Sequence, residues 1–181
     1  MVVGKGYRMT VIVAVAAHGK VTMGCDGGAS DKDFIGSSLT SKVKRNGKYL
    51  IGYAGSQGTG QLLQKLEYPM PPKRDLDTFL RTQFVRVAKQ NCEELCSDVY
   101  DPEKGAADLL VGVHGRLFEI STEDWGVTEW TEIATGSGYQ YAMGSLYSTQ
   151  GFPTAERVRK AVQAAIFYSP TCANNTFVYV N

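Results

Sequence analysis

Residues 10–17 (TVIVAVAA) and 20–26 (KVTMGCD) are runs rich in β-branched residues with only His18-Gly19 between them. Two such runs joined by two residues specify a β-hairpin and leave little room for another local structure. The pattern recurs. Lys42–Arg45 leads through Asn46-Gly47, a strong two-residue turn signal, into Tyr49–Ala54, and Leu109–Val113 turns about His114-Gly115 into Leu117–Ile120. Shorter strands are predicted over Trp125–Trp130 and Glu132–Ala134, and a last one over Thr176–Val180. Between the hairpins the apolar period changes to that of a helix. Gly55–Gly60 opens a helix to about Leu66, Pro69–Pro72 breaks the chain, and Asp75–Asp98 reads as a long amphipathic helix, followed by the turn-forming Asp101-Pro102. Gly136-Ser137-Gly138 starts a helix to about Tyr147, and Pro153-Thr154 starts another to about Tyr168. Hairpin blocks alternating with helix pairs predict an α+β chain: two antiparallel sheets face to face between helix pairs, a four-layer αββα sandwich.

The 181 residues suit one domain, able to bury roughly 70% of its unfolded surface without staples. Nineteen basic against 18 acidic residues, a net charge of +1, argue against a partner held by bulk charge, so no nucleic acid is expected. No apolar run reaches the ~20 residues that span a bilayer, so no membrane is expected and a soluble, cytoplasmic protein is. Cys25, Cys92, Cys96 and Cys172 read as buried thiols rather than as a disulfide framework or a metal site. His18 and His114 both sit in turns, which leaves no histidine base for a Ser/His/Asp hydrolase. Gly55–Gly60 lacks the Lys-Ser or Lys-Thr of a phosphate loop, and Asn174-Asn175-Thr176 matches a glycosylation pattern without a secretory context. No metal or organic cofactor is implied.

Several segments resemble the proteasome β-type subunits and the peptidase subunit of the bacterial two-component ATP-dependent protease. They are Thr10–Val15, Gly24-Cys25-Asp26-Gly27, Ser41-Lys42-Val43, Leu50–Ser56, and Ala134–Gly138 with Tyr141-Ala142. Asp26 follows Thr10 by 16 residues and Lys42 by 32, the spacings of that family without a gap. The resemblance runs from Thr10 through most of the chain and implies the N-terminal nucleophile hydrolase fold.

It also implies a threonine peptidase. A threonine hydroxyl is a weak nucleophile and needs a base; Thr10's own α-amine, with an ordinary pKa near ~8, can serve once Thr10 is the first residue. Lys42 would then favour the ionised hydroxyl, and Asp26 would orient Lys42. By the family pattern the Gly52 N–H belongs to the oxyanion hole and Ser137 stands near the amine. Where the family often has an aspartate and a serine near the C-terminus, this chain offers Ser169 and Cys172. Strand alternation from Gly52 places Leu50 and Ala54 beside a substrate, and family spacing adds Ala29, Thr40 and Lys44 to that pocket. The implied partners are a peptide or unfolded protein substrate, further copies of the chain in a ring, and an ATP-dependent unfoldase.

Residues 1–9, ahead of a single domain over 10–181, read as a leader or propeptide. Translation starting at Met9 with removal of that methionine would expose Thr10, as would self-cleavage; a leader that stays would silence the site. Two other functions stay open: a catalytically silent, ring-forming structural subunit, and a small-molecule amidase of the same nucleophile class.

Overall fold

The computed structural model describes residues 10–31, 34–95, 106–173 and 175–181. The 1–9 leader, Cys96, Asp98, Asp101-Pro102 and Asn174 lie outside them. The first expected hairpin is present as β1 (Ile12–Ala17) and β2 (Lys20–Asp26). Its register closes with Ala17 opposite Lys20, and His18 and Gly19 take positive φ of 51° and 69°, as a type I′ turn demands. A short hairpin of β3 (Gly28–Asp31) and β4 (Phe34–Ser37) follows; its GASD and FIGS segments carry no β-branched run that would have announced it. Strands β5 (Val43–Asn46) and β6 (Tyr49–Gly55) form the next hairpin. Its turn is Gly47-Lys48, one residue later than expected, because the Asn46 side chain is used elsewhere: Nδ2 donates to the carbonyls of Gln64 (3.2 Å) and Leu66 (2.8 Å).

Helix α1 (Gln57–Leu63) leaves the end of β6, capped by the Ser56 side chain on the Thr59 N–H. The long amphipathic helix is realised as α2 (Leu76–Phe79), a π-helical turn over Leu80–Phe84 and α3 (Val85–Leu95), a change of pitch that the apolar spacing does not encode. Strands β7 (Ala107–Val113), β8 (Arg116–Ser121), β9 (Val127–Trp130) and β10 (Glu132–Thr135), helices α4 (Tyr139–Ser148) and α5 (Thr154–Tyr168), and β11 (Thr176–Val180) complete the described chain.

One antiparallel sheet has the order β10-β1-β2-β11 and the other β5-β6-β7-β8-β9. Side-chain alternation divides each strand between two layers. Ile12, Ala14, Met23, Val43, Leu50 and Leu110 fill the space between the sheets. Val11, Val13 and Val15 face α4 and α5 instead, and Ile51, Tyr53 and Val111 face α1 to α3. The expected αββα sandwich is therefore the fold.

Gly52 lies where the sheets approach closely. A Cβ there would stand 2.7 Å from Met23 Sδ and 2.9 Å from Ile12 Cγ2, both belonging to the opposite sheet. Gly52→Val is expected to force the sheets apart and lose about 1–3 kcal/mol or more, measured by urea denaturation. Unchanged stability would show that the interface has room to spare.

Candidate active site

The centre of the site is a buried carboxylate. Asp26 ends β2 with 0% exposure, and Thr10, 3% exposed, lies just before β1 on the neighbouring strand. Asp26 Oδ1 accepts from Thr10 Oγ1 (2.5 Å), from the Val11 N–H (3.0 Å) and from Lys42 Nζ (3.3 Å). Its Oδ2 accepts from the backbone N–H groups of Gly28 (2.9 Å) and Ala173 (3.0 Å). A carboxylate out of water is tolerable only when its lone pairs are met, and here three amides and an ammonium meet them. Those amides come from the start of β1, the start of β3 and the approach to β11.

Lys42 reaches the same point from the other sheet. It sits one residue before β5, its side chain 12% exposed, and Nζ donates to Thr10 Oγ1 at 2.5 Å. The hydroxyl thus lies between an ammonium that favours its ionised form and a carboxylate that accepts its hydrogen bond.

A chain of hydroxyls occupies the other side of Thr10. The Thr10 N–H donates to Ser137 Oγ (3.2 Å), and the Ser137 hydroxyl contacts Thr171 Oγ1 (2.6 Å), which contacts Ser169 Oγ (2.7 Å). Ser137 and Gly138 also donate to the Thr10 carbonyl, each at 3.3 Å. Thr171 is the member that the sequence pattern passes over in favour of Cys172. Burial pushes the Cys172 thiol up to about 11, with the Asp26 charge adding to the effect. Cys25 is raised as well, chiefly by burial. Both stay protonated near neutral pH, and a thiol is a poor nucleophile beside its thiolate.

The other expected residues are Gly52, Leu50, Ala54, Lys44, Thr40 and Ala29. Tyr53 N–H donates to the Lys42 carbonyl (3.1 Å) across the β5 side of β6. The alternation of an antiparallel ladder then directs the Gly52 N–H to the β7 side, where Gly52 is paired with Leu110. Gly52 is a glycine because the sheets meet there, and its N–H is part of the sheet rather than open to an oxyanion. Gly55, three residues on, has its N–H on the β5 side of the ladder by the same alternation, past the first residue of β5. Its φ is +114°, and a Cβ at this position would lie 2.5 Å from the Ala106 carbonyl oxygen, so only glycine fits. Leu50 and Ala54 share the Gly52 face as expected, but that face is the core between the sheets, where both are fully buried and present no surface. Lys44 is on the opposite face, paired with Ile51, and is half-buried; Thr40 is exposed; Ala29 lies in β3 opposite Gly36. Leu50 and Ala54 therefore do not share a face with Lys44.

Among the described residues no helix is long and apolar enough to cross a membrane. Neither a protein-family model nor a curated protein sequence matches the chain. Solved structures do match. Thiobacillus denitrificans BPH in complex with epoxomicin has a TM-score of 0.77 at 17% identity, covering 95% of this chain and 98% of that one. Thiobacillus denitrificans BPH in a second structure gives 0.76 at 17% identity over 95% and 97%. Eukaryotic HslV from Trypanosoma brucei gives 0.70 at 22% identity over 94% and 98%. The likeness establishes that the chain shares the fold of these three structures.

Asp26→Asn tests the carboxylate. An amide group would turn N–H donors toward some of the three backbone donors that now face Asp26, so the variant is expected to lose about 1–3 kcal/mol of stability in urea denaturation. A variant as stable as the parent would show that those amides do not depend on the charge.

Proposed function

We propose that this chain is a proteasome-like threonine peptidase with Thr10 as its N-terminal nucleophile. The observation that carries the reading is Lys42 Nζ on Thr10 Oγ1, with one Asp26 oxygen within reach of both. Removal of the residues before Thr10 turns its N–H, now on Ser137, into an amine that can take the hydroxyl proton. Thr10 Oγ then adds to the carbonyl carbon of a peptide bond, while Lys42 offsets the charge on the attacking oxygen. The Gly55 N–H is the donor suited to the resulting oxyanion. The protonated amine passes its proton to the departing peptide nitrogen as the C–N bond breaks, leaving an ester on Thr10. Water, deprotonated by the same amine, cleaves that ester and restores the hydroxyl.

Ser137, Thr171 and Ser169 form a neutral chain of hydroxyls that orients the amine without placing a second carboxylate beside it. Copies of the chain in a ring would keep such a site from folded bystanders, and an ATP-dependent unfoldase would supply extended substrate. A leader that stays in place gives the silent structural subunit instead.

The active species is expected to begin at Thr10 by N-terminal sequencing, and Lys42→Ala is expected to lose on the order of 100-fold or more in kcat/KM while staying folded. Hydrolysis by protein whose N-terminus is uniformly Met1 would sink the mechanism. Folded protein that starts at Thr10 and cleaves no peptide would support the silent subunit.

Specificity can be tested at Lys44. Its half-buried stem can cover an apolar wall while the ammonium stays in water, so medium apolar side chains before the cut bond are expected to be preferred in a fluorogenic peptide panel. A preference for Glu or Asp that disappears in Lys44→Ala would reverse that assignment.

A further inference from the structure

We propose that Gln64 is a positioning residue for Lys42, fixing the strand end from which its ammonium reaches Thr10; this rests on the peptidase reading above. Gln64 follows α1 directly and is 3% exposed. Its Nε2 donates to two main-chain carbonyls, those of Lys42 and Ile51, each at 2.8 Å. Both partners are acceptors only, so the carboxamide must present its NH₂ there, and the orientation is set by chemistry. Its Oε1 is buried with no partner among the described residues. An acceptor left unmet costs free energy, so the two donated bonds outweigh a standing penalty at this position.

Lys42 needs such a support. Among the described residues β5 is an edge strand, with β6 as its only neighbour in the sheet, and Lys42 stands just outside its first residue. From the sheet, the Lys42 carbonyl receives the Tyr53 N–H at 3.1 Å. Gln64 adds a second donor to the same oxygen from the helix side. The far end of β5 is tied to the same segment, because Asn46 Nδ2 donates to the Gln64 carbonyl. The stretch after α1 therefore braces the edge strand at both ends. The lysine stem is flexible, so the ammonium rests at Thr10 Oγ1 and Asp26 Oδ1 only as long as the main chain that carries it holds its distance from them. Misplacement by about 1 Å can cost as much as 100-fold in rate.

The experiment compares kcat and KM on a fluorogenic peptide across mildly acidic to mildly alkaline pH for the parent protein, Gln64→Met and Gln64→Glu. Exchange of the Tyr53 amide proton is followed in the same samples. Gln64→Met keeps the length and loses both donors; it is expected to lower kcat roughly 10- to 100-fold with KM unchanged. In Gln64→Glu the carboxyl faces two carbonyls out of water, which raises its pKa above the ordinary value of about 4.3. Only its protonated form carries a donor, so this variant is expected to regain turnover as pH falls, relative to the parent and to Gln64→Met. Both variants should speed Tyr53 exchange by about tenfold, because that N–H bonds to the loosened carbonyl. Parental kcat in both variants, or a change confined to KM, would overturn the proposal. If Gln64→Met does not fold, Gln64→Glu at its acidic end decides the question: no regain there overturns the proposal. If the parent itself cleaves no peptide, the peptidase reading fails on its own, and unchanged Tyr53 exchange in the variants would overturn the positioning role separately.

Discussion

The Asp26 carboxylate is the interaction on which the arrangement of this site depends. It is fully buried at the end of β2, and its two oxygens gather amides from the starts of β1 and β3 and from the approach to β11. A charge in that position would be expelled or neutralised if any of those segments withdrew. Its burial therefore holds the segments together as much as they hold it. Thr10 and Lys42 join the same oxygen, so the groups that define the chemistry converge at a point that the fold must form in any case.

The two sheets contribute unequally to that point. Thr10 and Asp26 belong to neighbouring central strands of one sheet, stiffened on both sides and packed against α4 and α5. Lys42 arrives from the edge of the other, where a strand has hydrogen bonds on one side only. The cation is thus the more weakly anchored member. The close approach of the sheets at Gly52 and the Gln64 carboxamide both act on that side of the site. Stability and site geometry are linked most tightly along β5 and β6.

The same two strands show why face assignment matters. Val43, Gly52, Leu50 and Ala54 all point into the core between the sheets, whereas Lys44 with Ile51 and Tyr53 points to the helix side. Gly55 ends β6 past the first residue of β5, so its surroundings differ from those of the mid-strand residues before it.

How much of this was legible in the sequence follows from the range of each interaction. The hairpins about His18-Gly19 and His114-Gly115 are set by two residues between β-branched runs, and α5 begins and ends where Pro153-Thr154 and Tyr168 indicate. Thr10, Asp26 and Lys42 were recognisable only together, because their spacings of 16 and 32 residues match those of the family the sequence resembles. Other features depend on contacts between segments far apart in the chain, and no local pattern encodes them. Gly52 reads, by the family pattern, as an oxyanion-hole glycine until Met23 and Ile12 of the other sheet are seen against it. Thr171 joins Ser137 across 34 residues, and Gln64 meets Lys42 only after α1 has folded back onto the edge strand. The sequence by itself determined the hairpins about His18-Gly19 and His114-Gly115, the positions of the helices and, through the spacings of the family it resembles, the candidates Thr10, Asp26 and Lys42. The tertiary structure alone decided which faces are buried and which distant side chains meet, because those are set by how close two layers come and where a strand runs out of neighbours.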